Sequence, residues 1–259
     1  MRYRALIMVA LILGGCALAL GGCGKSGRDT SEQSTSGKKV LRAAVSPTSP
    51  PNCFRSGKDY VGIDVEIFRV FSESQGLSFE MTAYDWAGML GAVQASRADV
   101  AFSGISITDE RKKVMNFSDA YMVNTLVIAA LADHGVEMAT TADWKKYRLG
   151  SVRGMYFSDL IKTKYRDAYA YANLKQYPSY KELLAALSKG KVDGAFMDSL
   201  VMADQKEKGV YDLTAAFTLE ESDQFGFAFP KGSALRDQLN DFLRDRPEEI
   251  QAIVARHVK

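Results

Sequence analysis

From Val40 onward, short apolar runs alternate with polar turns, and the apolar spacing switches between two periods. Val40 to Val45 is a brief apolar run, read as a strand. Asp64 reads as the N-cap of a helix with Val65, Phe68 and Phe71 on one face, closed by Gly76. Leu77, Phe79, Met81 and Ala83 then alternate with polar residues, the period of a half-buried strand. A helix near 87–96 leads into a strand over 99–102. Thr108 opens a further helix through Asp109, Glu110 and Arg111, and 123–131 is a long apolar strand. The next stretch repeats the alternation: strands at 149–152, 174–177 and 192–197, with helices near 157–165, 180–188 and 199–206. A strand at 225–229 and helices near 233–243 and 248–257 follow. Repeated strand–helix units call for mainly parallel sheets covered by helices on both faces, an α/β fold.

One segment has an echo. Ala98-Asp-Val-Ala-Phe-Ser-Gly104 and Val192-Asp-Gly-Ala-Phe-Met-Asp198 are both apolar strands that deliver polar residues at their carboxyl ends. Open α/β sheets bind ligands at those ends. The pair suggests two similar lobes facing one another across a cleft, although chance similarity between two buried strands accounts for it equally well.

The N-terminal stretch is of another kind. Arg2 and Arg4 precede an uncharged apolar run from Ala5 to Leu13, and small residues with Cys16 and Cys23 follow. This is the pattern of an export signal over residues 1–22. The competing reading, a single membrane span, is weakened by four glycines and two cysteines. Leu20-Gly-Gly-Cys23 resembles a bacterial lipobox, in which the cysteine is lipidated (a palmitate-bearing anchor) and becomes the mature N-terminus. Leu13-Gly-Gly-Cys16 fits the same pattern, and Cys23 is preferred because the polar stretch starts directly after it. Gly24 to Lys39 carries no apolar side chain, so it is read as a flexible linker over 23–39. The expectation is an exported chain, lipid-anchored to the outer face of the cell membrane.

Composition narrows the classes. The 259 residues carry 33 Lys and Arg against 31 Asp and Glu. Loss of Arg2 and Arg4 on processing leaves 31 of each sign, so a basic nucleic-acid binder is excluded. His134 and His257 stand far apart and the cysteines form no CxxC pair, so neither a metal nor another cofactor is expected. Cys53 is the one thiol left in the mature body, read as a small buried hydrophobe rather than an exposed reactive group.

Several blocks together carry a resemblance. They are Val61-Gly-Ile-Asp-Val-Glu-Ile, Asp85-Trp86, Ser103-Gly-Ile-Ser-Ile-Thr-Asp-Glu-Arg-Lys-Lys113, Asn116-Phe-Ser-Asp119, Phe196-Met-Asp198 and Gln224-Phe-Gly-Phe-Ala-Phe-Pro-Lys-Gly-Ser233. In this order they resemble the bacterial extracellular solute-binding proteins of the polar amino-acid family, which serve ATP-driven importers. The resemblance implies a monomer of two lobes that closes around a free amino acid and delivers it to an ABC permease. It places lobe 1 at 40–120 and 226–259, lobe 2 at 126–220, and hinges at 121–125 and 221–225. An amino acid is a zwitterion, so its site needs one fixed cation and one fixed anion. Arg111 can fork two hydrogen bonds onto the α-carboxylate, with backbone N–H groups near Ser106 and Thr108 beside it. Asp198 can accept from the ammonium, as the matching residues of the family do. Read alone, Arg111 would belong to a solvated charge run and Asp198 would be a helix cap. The resemblance also implies an aromatic wall at Trp86, contacts from Ser103, Gly104 and Ser106, and a second-lobe loop with Val152, Gly154 and Tyr156.

Departures bear on specificity. Family members often place an acid and an aromatic in the first strand–helix loop, where this chain has Ser46 and Ser49. A cationic side chain would lack its usual counter-charge there, and Arg153, if inward, would suit an acidic or amide partner. The expectation is therefore a neutral polar or acidic amino acid. The C-terminal Arg244-Asp-Arg-Pro-Glu-Glu249 also departs from the family ending. Two alternatives share the fold. Cyclohexadienyl dehydratases use a glutamate where this chain has Phe157, which cannot move a proton. A sensing module would need a separate receptor.

Overall fold

A computed structural model describes residues 40–258. The export signal, the linker and both candidate lipidation sites, Cys16 and Cys23, lie outside the described residues. Strand β1 (Val40–Val45) is followed by a small antiparallel excursion of β2 (Thr48–Ser49), β3 (Cys53–Ser56) and β4 (Asp59–Val61). Then come α1 (Ile63–Ser74), β5 (Ser78–Ala83), α2 (Trp86–Gln94), β6 (Val100–Ser106), α3 (Asp109–Val114) and β7 (Asn116–Phe117). Strand β8 (Met122–Leu131) leads into β9 (Leu149–Val152), α4 (Tyr156–Lys162), β10 (Lys175–Tyr177), α5 (Tyr180–Ser188), β11 (Gly194–Asp198) and α6 (Ser199–Glu207). Strand β12 (Leu213–Phe229) returns, and α7 (Leu235–Asp245) and α8 (Pro247–His257) follow.

The main sheet runs β10-β9-β11-β8-β12-β6-β1-β5, with β7 added on β12. Its two ends are parallel: β1 lies between β5 and β6, and β9 between β10 and β11. The middle is antiparallel, because β8 and β12 pair with each other and each pairs onward into one end. This is a two-lobe α/β fold, with β8 and β12 shared between the lobes. The parallel expectation thus holds for the outer strands only. The sequence pattern showed only the last five residues of β12, which spans 17. Register breaks between Ala215 and Phe217 and between Thr218 and Ser222 interrupt its alternation, so no single period runs through it.

Asp64 is not a cap. Gly62 holds the N-cap position of α1 at φ 128, and Asp64 is fully buried inside the first turn. The first helix N–H groups, of Ile63 and Asp64, donate to the carbonyls of Pro51 and Asn52 at 3.0 and 3.1 Å. A Cβ at Gly62 would stand 2.4 Å from the Asn52 carbonyl oxygen, so this close approach needs glycine. The excursion over β2–β4, absent from the sequence reading, is therefore pinned to the start of α1.

Each lobe has its own aromatic core. Phe68 on α1 packs against Phe71, Phe79, Phe102 and Phe227 at centroid distances of 5.0–5.9 Å. In the other lobe Trp144 packs against Tyr165, Phe196 and Phe217. Cys53 is buried, and burial pushes its thiol up to about 12. The echo noted in the sequence has a structural counterpart at the opposite end of the strands. Asp99, entering β6, accepts from the backbone and guanidinium of Arg42, and Asp193, entering β11, does the same for Arg148. Two strands with matching sequence thus share a matching bracket.

Candidate functional site

The carboxyl end of β6 supplies the first wall. Ser103, Gly104 and Ser106 are all buried. Ser103 Oγ accepts from the backbone N–H of Ser46 at 2.9 Å, which ties the loop after β1 to β6. Ser49 follows, buried on β2. Gly104 adopts φ 68, and its N–H donates to Asp64 at 2.7 Å. Tyr121 donates its hydroxyl to the other Asp64 oxygen. Burial pushes the Asp64 carboxyl up to about 7 against the pull of these two donors.

Thr108 caps α3, its hydroxyl accepting from the N–H of Arg111. The neighbours Asp109, Glu110, Lys112 and Lys113 are exposed, but Arg111 turns inward and is 6% exposed. Its guanidinium donates through Nη1 to the Ser106 carbonyl at 2.8 Å and through Nη2 to the Gly154 carbonyl at 3.0 Å. Gly154 belongs to the second lobe, in the turn after β9. Trp86 Nε1 donates to that same carbonyl at 3.1 Å, and its ring lies 5.9 Å from the guanidinium carbon. The lobes are thus in contact across this point. Burial lowers the Arg111 pKa, opposed by Asp223, Asp159 and Asp198.

Asp198 ends β11 and precedes α6, but its side chain makes no capping hydrogen bond. One oxygen accepts from Asn124 Nδ2 at 2.8 Å and the other from the Tyr180 hydroxyl at 2.7 Å. Burial pushes its carboxyl up to about 6, restrained by Tyr180, Arg111 and Asn124. Tyr156 is half-buried at the start of α4, with its pKa raised by burial and by Asp223. Val152 is buried at the end of β9. Arg153 is exposed, so it is no inward counter-charge.

The sequence reading missed Asp223. This residue on β12 is 2% exposed and accepts from the Ser106 hydroxyl at 2.9 Å. Burial, and then the nearby Asp198 carboxylate, push it up to about 8. Counting back by twos from Phe225 would have flagged it, since Leu219, Asp223 and Phe225 all face inward.

A pH dependence of stability follows from the three raised carboxyls. Asp64, Asp198 and Asp223 hold protons in the folded chain over a range where the unfolded chain, with its ordinary aspartate pKa near 3.9, does not. Stability from these groups is complete below about pH 4 and is lost progressively as pH rises from there through about 6, 7 and 8, the folded values of Asp198, Asp64 and Asp223. Melting temperature is expected to fall from about pH 4.5 and to level off above about pH 8 at constant ionic strength, as stability drops by roughly 1.4 kcal/mol per pH unit for each proton that the folded chain holds in excess. A flat or rising profile would contradict the burial of these acids.

The site thus brings an inward arginine on a capped helix together with a buried aspartate at the end of β11. The family model of the bacterial extracellular solute-binding proteins, family 3, matches residues 41–259. The chain belongs to this family. It is a solute-binding protein, not an enzyme, and it binds a free amino acid outside the cytoplasm for delivery to an ABC importer. Phe157, at the position where the dehydratases would need their proton donor, is buried and packs 5.6 Å from Phe196. Among similar proteins, the probable histidine-binding protein of Neisseria gonorrhoeae is 30% identical over 245 residues, covering 91% of this chain and 88% of the relative. The arginine-binding extracellular protein ArtP of Bacillus subtilis (strain 168) is 27% identical over 256 residues, 95% of this chain and 92% of the relative. An ancestral arginine-binding protein bound to arginine has the same fold, with TM-score 0.76 at 24% identity, over 85% of this solute-binding protein and 98% of the other chain.

Proposed function

We propose that Arg111 and Asp198 grip the two ends of a free amino acid between the lobes, the guanidinium on the α-carboxylate and the aspartate on the ammonium. One observation carries this reading: two buried, opposite charges from different lobes converge on one buried cluster. Arg111 spends two of its five N–H donors on carbonyls and keeps the others for a carboxylate. Trp86 forms the wall under the ligand side chain, and Ser46, Ser49, Ser103, Gly104, Ser106, Gly154 and Tyr156 line the rest. Lobe 1 is 40–120 with 226–259, and lobe 2 is 126–220. Strands β8 and β12 bend at 121–125 and 221–225, and the ligand closes the cleft through contacts it makes with both lobes at once. Cys23 carries the lipid that keeps the monomer near its permease.

The ligand side chain is read as neutral polar or cationic. Arg153 faces outward, which removes the ground for an acidic one. Relatives named for histidine, arginine and cystine fit this range. A thermal-shift screen against the twenty common L-amino acids and L-cystine is the test. An amino acid present at about 100 times its dissociation constant is expected to stabilise the protein by about 2.7 kcal/mol. Failure of every one of them to raise the melting temperature would overturn the reading.

A further inference from the structure

Two buried carboxylates lie within electrostatic reach of a single buried arginine. Asp198 and Asp223 are 4% and 2% exposed, and Arg111, at 6%, directs its two hydrogen bonds to carbonyl oxygens rather than to either acid. Asn124 connects the acids: it lies opposite Asp223 in the β8–β12 ladder, and its amide donates to Asp198. Among the described residues, no cationic side chain makes a hydrogen bond or ion pair with either acid. Ser106 on β6 donates to Asp223, and Tyr180 on α5 donates to Asp198. Tyr156 and Asp159 on α4, Glu221 on β12 and Tyr121 before β8 are neutral or acidic. Lys164, which follows α4, is paired with Glu221, and α6, packed on β8, β11 and β12, carries Asp204, Lys206 and Glu207. Helix α2, which also touches β12, contributes no titratable side chain.

Two like charges out of water on either side of one asparagine oppose each other's ionisation. We propose that Asp198 and Asp223 act as one acid pair that holds a single proton in the empty cleft and releases it to solvent when an amino-acid ammonium takes its place. An ammonium carries the same charge as the proton it displaces and has three N–H donors to spread over the two carboxylates. The raised pKa values of both acids agree with a shared proton, read as a property of the pair. The inference rests on the proposed binding role of this cleft and adds to it a second ammonium-binding carboxylate and a coupling to pH. Binding then tightens as pH rises, by up to tenfold per pH unit between about pH 6 and pH 8.

The test uses the twenty common L-amino acids and L-cystine at pH 6 and pH 8. Isothermal titration is then run with each one that stabilises the protein, for wild type and for Asp223→Asn. Comparing the pH 8 to pH 6 affinity ratio between the two proteins cancels any titration of the ligand itself. The wild-type ratio is expected to exceed that of the variant by at least tenfold, and equal ratios would overturn the inference alone. Carbon-13 carboxyl NMR of the wild type gives a second reading that needs no variant. One aspartate midpoint should drop from between pH 6 and 9 to below 6 when the stabilising amino acid is added, while Asp64, outside the pair, stays put. An unchanged set of midpoints would overturn the inference. Absence of stabilisation by every amino acid at both pH values would overturn the binding role and the inference together.

Discussion

Arg111→Ala is expected to weaken amino-acid binding by roughly 30-fold to several thousand-fold, about 2–5 kcal/mol, the range for truncating one partner of a buried, hydrogen-bonded charge pair. The cost has two sources. The ligand carboxylate loses its forked partner and is left desolvated in a closed cleft. The buried cluster also loses the guanidinium that counters Asp198 and Asp223, so their mutual repulsion grows. Arg111→Lys separates the two. It restores the charge but not the planar fork, so it should recover only part of the affinity. Isothermal titration with the amino acid identified by the thermal screen provides the measurement. Arg111→Ala binding within threefold of wild type would show that the guanidinium does not touch the ligand.

Phe68→Ala is expected to destabilise the protein by about 3–5 kcal/mol without touching the cleft. Phe68 is fully buried, and its ring contacts four other phenylalanines drawn from α1, β5, β6 and β12. Removing it leaves a void among side chains held in place by a helix and three strands, which cannot collapse without shifting β6. Chemical denaturation of wild type and variant gives the difference. A loss below about 1 kcal/mol would mean that this core is far more plastic than its packing implies. Because β6 also carries Ser103 and Ser106, the variant should show weaker binding only if the lobe itself deforms.

Much of the architecture could be read from the chain, and the parts that could not share a cause. Helix α5 and the start of α3 were legible because an amphipathic face and a capping Thr108 are local signals. The echo between 98–104 and 192–198 was legible because both strands are buried on both faces. The charged pair of the cleft was legible only through family resemblance. Arg111 sits among exposed charges, and nothing in the local pattern says which of five charged side chains turns in. Asp64 was misread because an acid before an apolar face signals a cap, while here Pro51 and Asn52 satisfy the helix N–H groups from afar. Asp223 was overlooked because its strand is broken by register shifts and looks like a connector. Its significance comes from Asp198 and Arg111, each contributed by a different part of the chain.

The pairing of Phe68 with Phe227 has a consequence for how the protein is born. A chain that is exported emerges from its N-terminus, yet the centre of its first core stays incomplete until a strand 159 positions later has arrived. The core around Trp144 has Tyr165 and Phe196 closer at hand, although its third ring, Phe217, also comes from β12. The aromatic core of the N-terminal lobe is therefore completed only once β12 has crossed the membrane.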